Sequence, residues 1–196
     1  MSKLVLTEFL EFRTDSNLLT EDERQAIAEG EEIYLAGVMQ RAGATNGNGR
    51  IYPKPILERE VENYQKLVRE GRAVGELDHP DSSVVELKNA SHMVTEIRMD
   101  GDDVVGKIKI LETPAGKTAI GLLKGGVKLG ISSRGLGSTR QEAGKTIVQE
   151  DFQLVCFDLV SEPSTTGAFM LREGKEPNIF TKADKINRLL NDLVKE

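Results

Sequence analysis

The chain has 196 residues, with 26 lysines and arginines against 32 aspartates and glutamates, a net charge of −6. That length fits one compact domain with short tails, and 38% apolar with 30% charged residues is the composition of a folded protein with a well-solvated surface. Interspersed charges and 5% aromatics leave no basic stripe or stacking platform for nucleic acid, no apolar run is long enough to span a bilayer, and the first residues lack the order of a signal peptide.

A single cysteine, Cys156, cannot form an internal disulfide and sits in an apolar run, as a buried free thiol does, which suits a reducing cytoplasm. Residues 1–30 read as an N-terminal arm. Within it, Thr20 to Gly30 carries a capping-box-like start and a closing glycine, the marks of a short helix or mobile arm. Ile33 to Val38 is a strand candidate, and the Gly43 to Gly49 run after it is a long exposed loop. From Pro53, the apolar positions Leu57, Val61, Tyr64 and Val68 recur at helical spacing up to Gly71. Ala73 to His79 is extended, and Pro80 keeps His79 out of helical geometry.

Two alternating runs, Met93 to Met99 and Val104 to Ile110, flank Asp100-Gly101 and predict a β-hairpin. Thr113-Pro114 opens a second helix that closes at Gly125-Gly126, and Val127 to Ser133 returns to strand. Gly144 turns the segment between Thr139 and Val148, and Phe152 to Val160 is apolar on both faces, like a strand covered on both sides. Without regular βαβ alternation, the expected class is α+β: a largely antiparallel, β-barrel-like core with flanking helices. The domain is expected over residues 31–172. Residues 173–196 form a C-terminal amphipathic tail whose stripe of Ile186, Leu189, Leu190, Leu193 and Val194 can dock, join copies into a homo-oligomer, or be removed.

Several tempting motifs fail. Gly-Lys-Thr occurs at Gly116 and Gly144, but Leu111 and Thr139 stand where a phosphate-binding loop needs glycine. Asp100-Gly-Asp-Asp lacks the later ligands of a calcium loop. His79 and His92 have no zinc-site spacing, so a metal hydrolase would need scattered ligands such as Glu76, Asp78, His79 and His92. No cofactor is implied.

Three features survive. Gly130-Ile-Ser132-Ser133-Arg134-Gly135-Leu-Gly137 puts two hydroxyl residues among glycines; by itself it reads first as a glycine-rich turn with capping serines, and second as a sharp turn that presents a nucleophile. Gly75-Glu76-Leu-Asp78-His79-Pro80 sets one of only two histidines beside carboxylates, where it can accept a serine proton while an acid fixes its tautomer. His92 looks like an ordinary sheet residue. Asp158 interrupts an apolar strand, where a carboxylate is costly unless paired with a histidine or with an arginine such as Arg134.

These pieces, with Asn-Gly-Arg50-Ile-Tyr52-Pro53 and Phe157-Asp-Leu-Val-Ser-Glu-Pro-Ser164, resemble the prohead core serine proteases of contractile-tailed phages, relatives of the herpesvirus assemblins. The resemblance spans roughly residues 33–170 in the family's order and implies an assemblin-like fold. By the family's motifs it implies His79 as general base and Ser132 as nucleophile. Asp158 is the choice for third member, with Glu76 and Glu162 as rivals. It also implies an endopeptidase that trims scaffold and capsid proteins, and itself, inside the immature shell, after glutamate preceded two residues earlier by leucine or isoleucine. Ile27-Ala-Glu29 and Leu171-Arg-Glu173 are such triplets, one on each side of the domain, and their positions fit autoprocessing that removes both arms.

Overall fold

A computed structural model describes residues 4–10, 19–29, 32–80 and 82–161. The chain opens with strand β1 (Leu4–Leu10) and helix α1 (Glu21–Glu29). Thr20 and Glu23 form the expected reciprocal cap, with Thr20 N–H donating to Glu23 Oε2 at 2.8 Å and Glu23 N–H to Thr20 Oγ1 at 3.3 Å. Strands β2 (Tyr34–Arg41) and β3 (Arg50–Ile51) follow, then helix α2 (Lys54–Arg69), which has Pro53 as N-cap and stops before Gly71 at φ 65°. Next come β4 (Val74–Glu76), β5 (Ala90–Asp100) and β6 (Asp103–Ile110); the last two form the predicted hairpin, with Gly101 at φ 63° in its turn. Helix α3 (Pro114–Lys124) is capped by Thr113, whose side chain accepts the Gly116 N–H. Four strands complete the described fold: β7 (Gly130–Gly137), β8 (Thr139–Glu142), β9 (Lys145–Val148) and β10 (Gln153–Val160).

The strands form three sheets, in the orders β1-β7-β10, β2-β6-β5-β4 and β3-β9-β8. Every ladder is antiparallel except the short β3–β9 pair. The class is therefore α+β with mostly antiparallel sheets and few helices, and none of the three described sheets closes on itself into a barrel. The residues expected to make a sharp turn at Ser132-Ser133 instead lie in β7, the middle strand of its sheet, paired on both sides. Gly135 is needed there for space, since a Cβ would sit 2.4 Å from the Phe152 ring and 2.6 Å from the Gln153 carbonyl.

Helix α2 buries Ile56, Leu57, Val61 and Tyr64 in the main apolar cluster with Met39, Ile108, Ile131 and Phe157. It also grips the start of β10. Arg59 donates to the Glu150 and Phe152 carbonyls at 2.8 and 2.7 Å, and Glu60, 5% exposed, accepts the Leu154 N–H at 2.8 Å next to a bulge in the β7–β10 ladder. The C-terminal tail expectation and the triplet at Glu173 lie outside the described residues.

Candidate active site

Two sheets meet where β4 runs beside β10. Leu77 bridges to Leu159, and the Asp78 N–H donates to the Leu159 carbonyl at 2.7 Å. Gly75 makes this approach possible, because a Cβ on it would lie 2.0 Å from the Phe157 carbonyl oxygen. Asp78 then takes the left-handed conformation, φ 70°, and its carboxylate accepts the His79 N–H at 3.0 Å. The reversal turns His79 back over β7 and β10, whose register pairs Ser132 with Asp158.

Three side chains expected to act together meet there. His79 Nδ1 is 3.0 Å from Asp158 Oδ2, and His79 Nε2 is 2.5 Å from Ser132 Oγ. A carboxylate only accepts, so Nδ1 carries the ring proton and Nε2 is left to accept from the serine hydroxyl. The histidine side chain is 15% exposed, whereas Ser132 and Asp158 have no exposed surface.

Asp158 is held from several directions. Arg134 Nε donates to its Oδ2 at 2.9 Å and Nη2 to its Oδ1 at 3.2 Å, while Oδ1 also accepts the Glu76 N–H at 3.0 Å and the Cys156 thiol at 3.3 Å. The same Nη2 donates to Glu76 Oε1 at 2.7 Å, and Nη1 to the Ser82 carbonyl at 2.6 Å. Arg134, Glu76 and Asp158 are all fully buried. Burial works against charge on Asp158, but the His79 bond and the Arg134 charge outweigh it and hold the carboxyl below its ordinary range. Burial and the neighbouring carboxylate push the Cys156 thiol well above its usual value, so it serves as a neutral donor and not a nucleophile.

The remaining expected residues fall elsewhere. Ser133 points away from Ser132 by strand alternation, is 1% exposed, and among the described residues its hydroxyl has no hydrogen-bond partner. Glu76 reaches Arg134, the Glu86 N–H at 2.9 Å and Asn89 at 3.3 Å. His92, a β5 residue, is buried between the sheets; its Nε2–H donates to the Phe157 carbonyl at 3.0 Å, leaving Nδ1 to accept from Ser91 at 2.9 Å. Among the described residues no three histidine, cysteine or acidic side chains converge as metal ligands. Glu162 lies outside the described residues. Sequence reasoning missed the roles of Gly75 and of the Arg134–Glu76 pair. Its one signal for the latter was a lone cation in a segment otherwise made of glycines, serines and two aliphatic residues.

The model of the family described as prohead core protein serine protease matches residues 14–179. This chain belongs to that family. The prohead core protein protease of enterobacteria phage T4 is 34% identical over 174 residues, covering 84% of this chain and 82% of that protein. The solved structure of the bacteriophage T4 capsid assembly protease superposes with a TM-score of 0.67 at 29% identity, covering 82% of this chain and 99% of that one. As a prohead core protein serine protease the chain is a protease by family, and the region matched contains Glu76, His79, Ser132, Arg134 and Asp158.

Proposed function

We propose that the chain is a serine endopeptidase in which Ser132 attacks, His79 carries the proton and Asp158 orients the imidazole. The observation that carries this reading is the continuous path from Asp158 Oδ2 through His79 Nδ1 and Nε2 to Ser132 Oγ, at 3.0 and 2.5 Å. As Ser132 Oγ bonds to the substrate carbonyl carbon, His79 Nε2 takes the hydroxyl proton, and the carbonyl π electrons move to its oxygen. Collapse of that adduct breaks the C–N bond, and the proton on Nε2 goes to the departing amine. Water repeats the sequence on the acyl-serine, releasing the carboxylate and restoring Ser132. Asp158 stabilises the imidazolium without taking its proton, and Arg134 keeps Asp158 ionised and immobile.

By family, the substrates are the scaffold and major capsid proteins of a phage, and this chain itself, cut after glutamate in Leu/Ile-x-Glu inside the prohead. Residues 1–30 and 173–196 are then arms removed by autoprocessing from a protease domain over 31–172. An assemblin-like barrel is the finer form of the same reading, supported by the β4–β10 bridge between sheets.

The test is to incubate the full chain with scaffold and capsid proteins of one phage and read the new termini by mass spectrometry. New C-termini should end in glutamate, and the Ser132→Ala chain should produce none. Equal cleavage by Ser132→Ala, or loss of cleavage on chelation, would sink the serine reading. Failure of a fluorophosphonate to label Ser132 in the native chain would favour a non-catalytic component with the same fold.

A further inference from the structure

We propose that the loop Ser82–Leu87 is the wall of the substrate cleft that receives the aliphatic side chain two residues before the cleaved glutamate, through Val84 and Leu87. The inference rests on the protease reading above and assigns residues to its leucine or isoleucine preference.

Val84 is 67% and Leu87 74% exposed, and the one other exposed large apolar residue among those described is Val127, which follows helix α3. Single exposed apolar residues are ordinary, whereas a pair on one loop beside a reactive serine marks a contact surface.

The loop is held in place by the buried groups that hold the triad. Hydrogen bonds of 2.5, 3.0, 2.9 and 2.6 Å join Ser132 to His79, His79 to Asp158, Asp158 to Arg134, and Arg134 to the Ser82 carbonyl. At its other end the Glu86 N–H donates to Glu76 Oε1 at 2.9 Å, and Glu76 is itself paired with Arg134. Between these two anchors, Ser82 Oγ accepts the Val84 N–H at 3.1 Å and donates to the Val84 carbonyl at 3.2 Å. Leu87 opens a single 3-10 turn, closed by the Asn89 N–H on the Glu86 carbonyl at 2.8 Å. A slack loop would fold its apolar side chains against the protein; this one keeps two of them in water on a fixed frame. Binding to a surface already in shape loses little to ordering.

The reach is right for that occupant. Ser82 lies three residues beyond His79, at most about 10 Å of chain. In an extended substrate the side chain two residues before the glutamate lies on the same face, about 7 Å along the peptide. The proposed cleavage preference calls for one aliphatic contact at that distance from the attacked carbonyl, and this loop presents an aliphatic pair beside the triad.

The test compares the full wild-type chain with Val84→Ser, Leu87→Ser, both substitutions together, and Val127→Ser. Each is assayed on two fluorogenic peptides that differ only in Leu-Ala-Glu against Ala-Ala-Glu before the cleaved bond. Wild type and Val127→Ser are expected to favour the leucine peptide by about tenfold or more in kcat/KM, the scale of an aliphatic side chain in an apolar contact. Each single loop variant should lose part of that preference, and the double variant should cleave the two peptides alike. The ratio is taken on one preparation, so a partly unfolded fraction cancels. A full leucine preference in the double variant, loss of it in Val127→Ser, or no preference in wild type overturns the inference and leaves the protease reading standing. If wild type hydrolyses neither peptide nor the scaffold and capsid proteins, the protease reading falls and takes this inference with it.

Discussion

Arg134 holds both carboxylate oxygens of Asp158, with Nε 2.9 Å from Oδ2 and Nη2 3.2 Å from Oδ1. Oδ2 is also the oxygen that faces His79 Nδ1. The two roles open to an acid in this apolar strand, partner of an arginine or partner of a histidine, are thus met by one carboxylate. Two buried acids, Glu76 and Asp158, share one buried guanidinium, and the Asp158 carboxyl, held below its ordinary range against the cost of burial, presents negative charge to the imidazole. That is the sign needed to stabilise an imidazolium during proton transfer.

Asp158→Asn should therefore damage both activity and stability. An amide has one acceptor oxygen for the donors that now surround Asp158, and its NH2 must face either Arg134 or His79. Turnover is expected to fall by roughly four orders of magnitude through loss of the correct tautomer, and stability by about 3–5 kcal/mol because a buried ion pair loses one partner. Denaturant unfolding and peptide cleavage on the same preparation check this. A destabilised chain with normal turnover would leave Asp158 structural and return Glu76 to candidacy.

Within the serine pair the expected outcomes are opposite. Ser132→Ala should lower turnover on the order of a millionfold with the fold intact. Ser133→Ala removes a buried hydroxyl that has no partner among the described residues, so it should keep turnover and leave stability unchanged or slightly raised. A dead Ser133→Ala chain that unfolds at the wild-type midpoint would reverse the assignment.

Much of this fold can be read from periodicity and turn residues. The Leu57–Val61–Tyr64–Val68 spacing locates α2, Asp100-Gly101 locates the β5–β6 hairpin, and Asp158 stands out as a charge in an apolar strand. The β7 segment misleads because glycine signals turns, whereas Gly135 and Gly137 serve to admit Phe152 against the strand. Spatial pairings far apart in sequence leave no local trace: nothing near Glu76 announces Arg134, and nothing near Leu4–Leu10 announces that its partner is the Ser132 strand. An arm that looks like a tail by composition is thereby part of the sheet that carries the site.

Gly75 offers a prediction that the sequence hides. A methyl group there would lie 2.0 Å from the Phe157 carbonyl and 2.3 Å from His92 Nε2, so Gly75→Ala must push β4 off β10. The Glu76 N–H would leave Asp158 and His79 would move with the strand. Stability should drop by about 1–3 kcal/mol, as overpacking does, with a larger fall in kcat/KM than a merely destabilised folded chain would show. Gly121→Ala, where nothing lies within 4 Å on a helix, should instead be neutral or stabilise by up to about 1 kcal/mol. Equal behaviour of the two variants would contradict the close-approach argument.

His92 sets a pH dependence of its own. Burial drives its pKa down to about 4, with Asp158 and the Phe157 carbonyl only partly offsetting the cost of charge. The folded ring is therefore neutral, and below about pH 6.5 the unfolded chain binds a proton that the folded chain refuses. The contribution of His92 to stability is complete above pH 6.5, shrinks as pH falls from there, and is gone below about 4. Between pH 7 and pH 5 the loss amounts to about 2 kcal/mol, at 1.36 kcal/mol for each pKa unit. Urea unfolding of wild type and His92→Gln at both pH values isolates it, since the carboxylates titrate alike in the two chains. Wild type should lose about 2 kcal/mol more than the variant on going to pH 5, and equal losses would mean that His92 is charged or solvated in the folded chain.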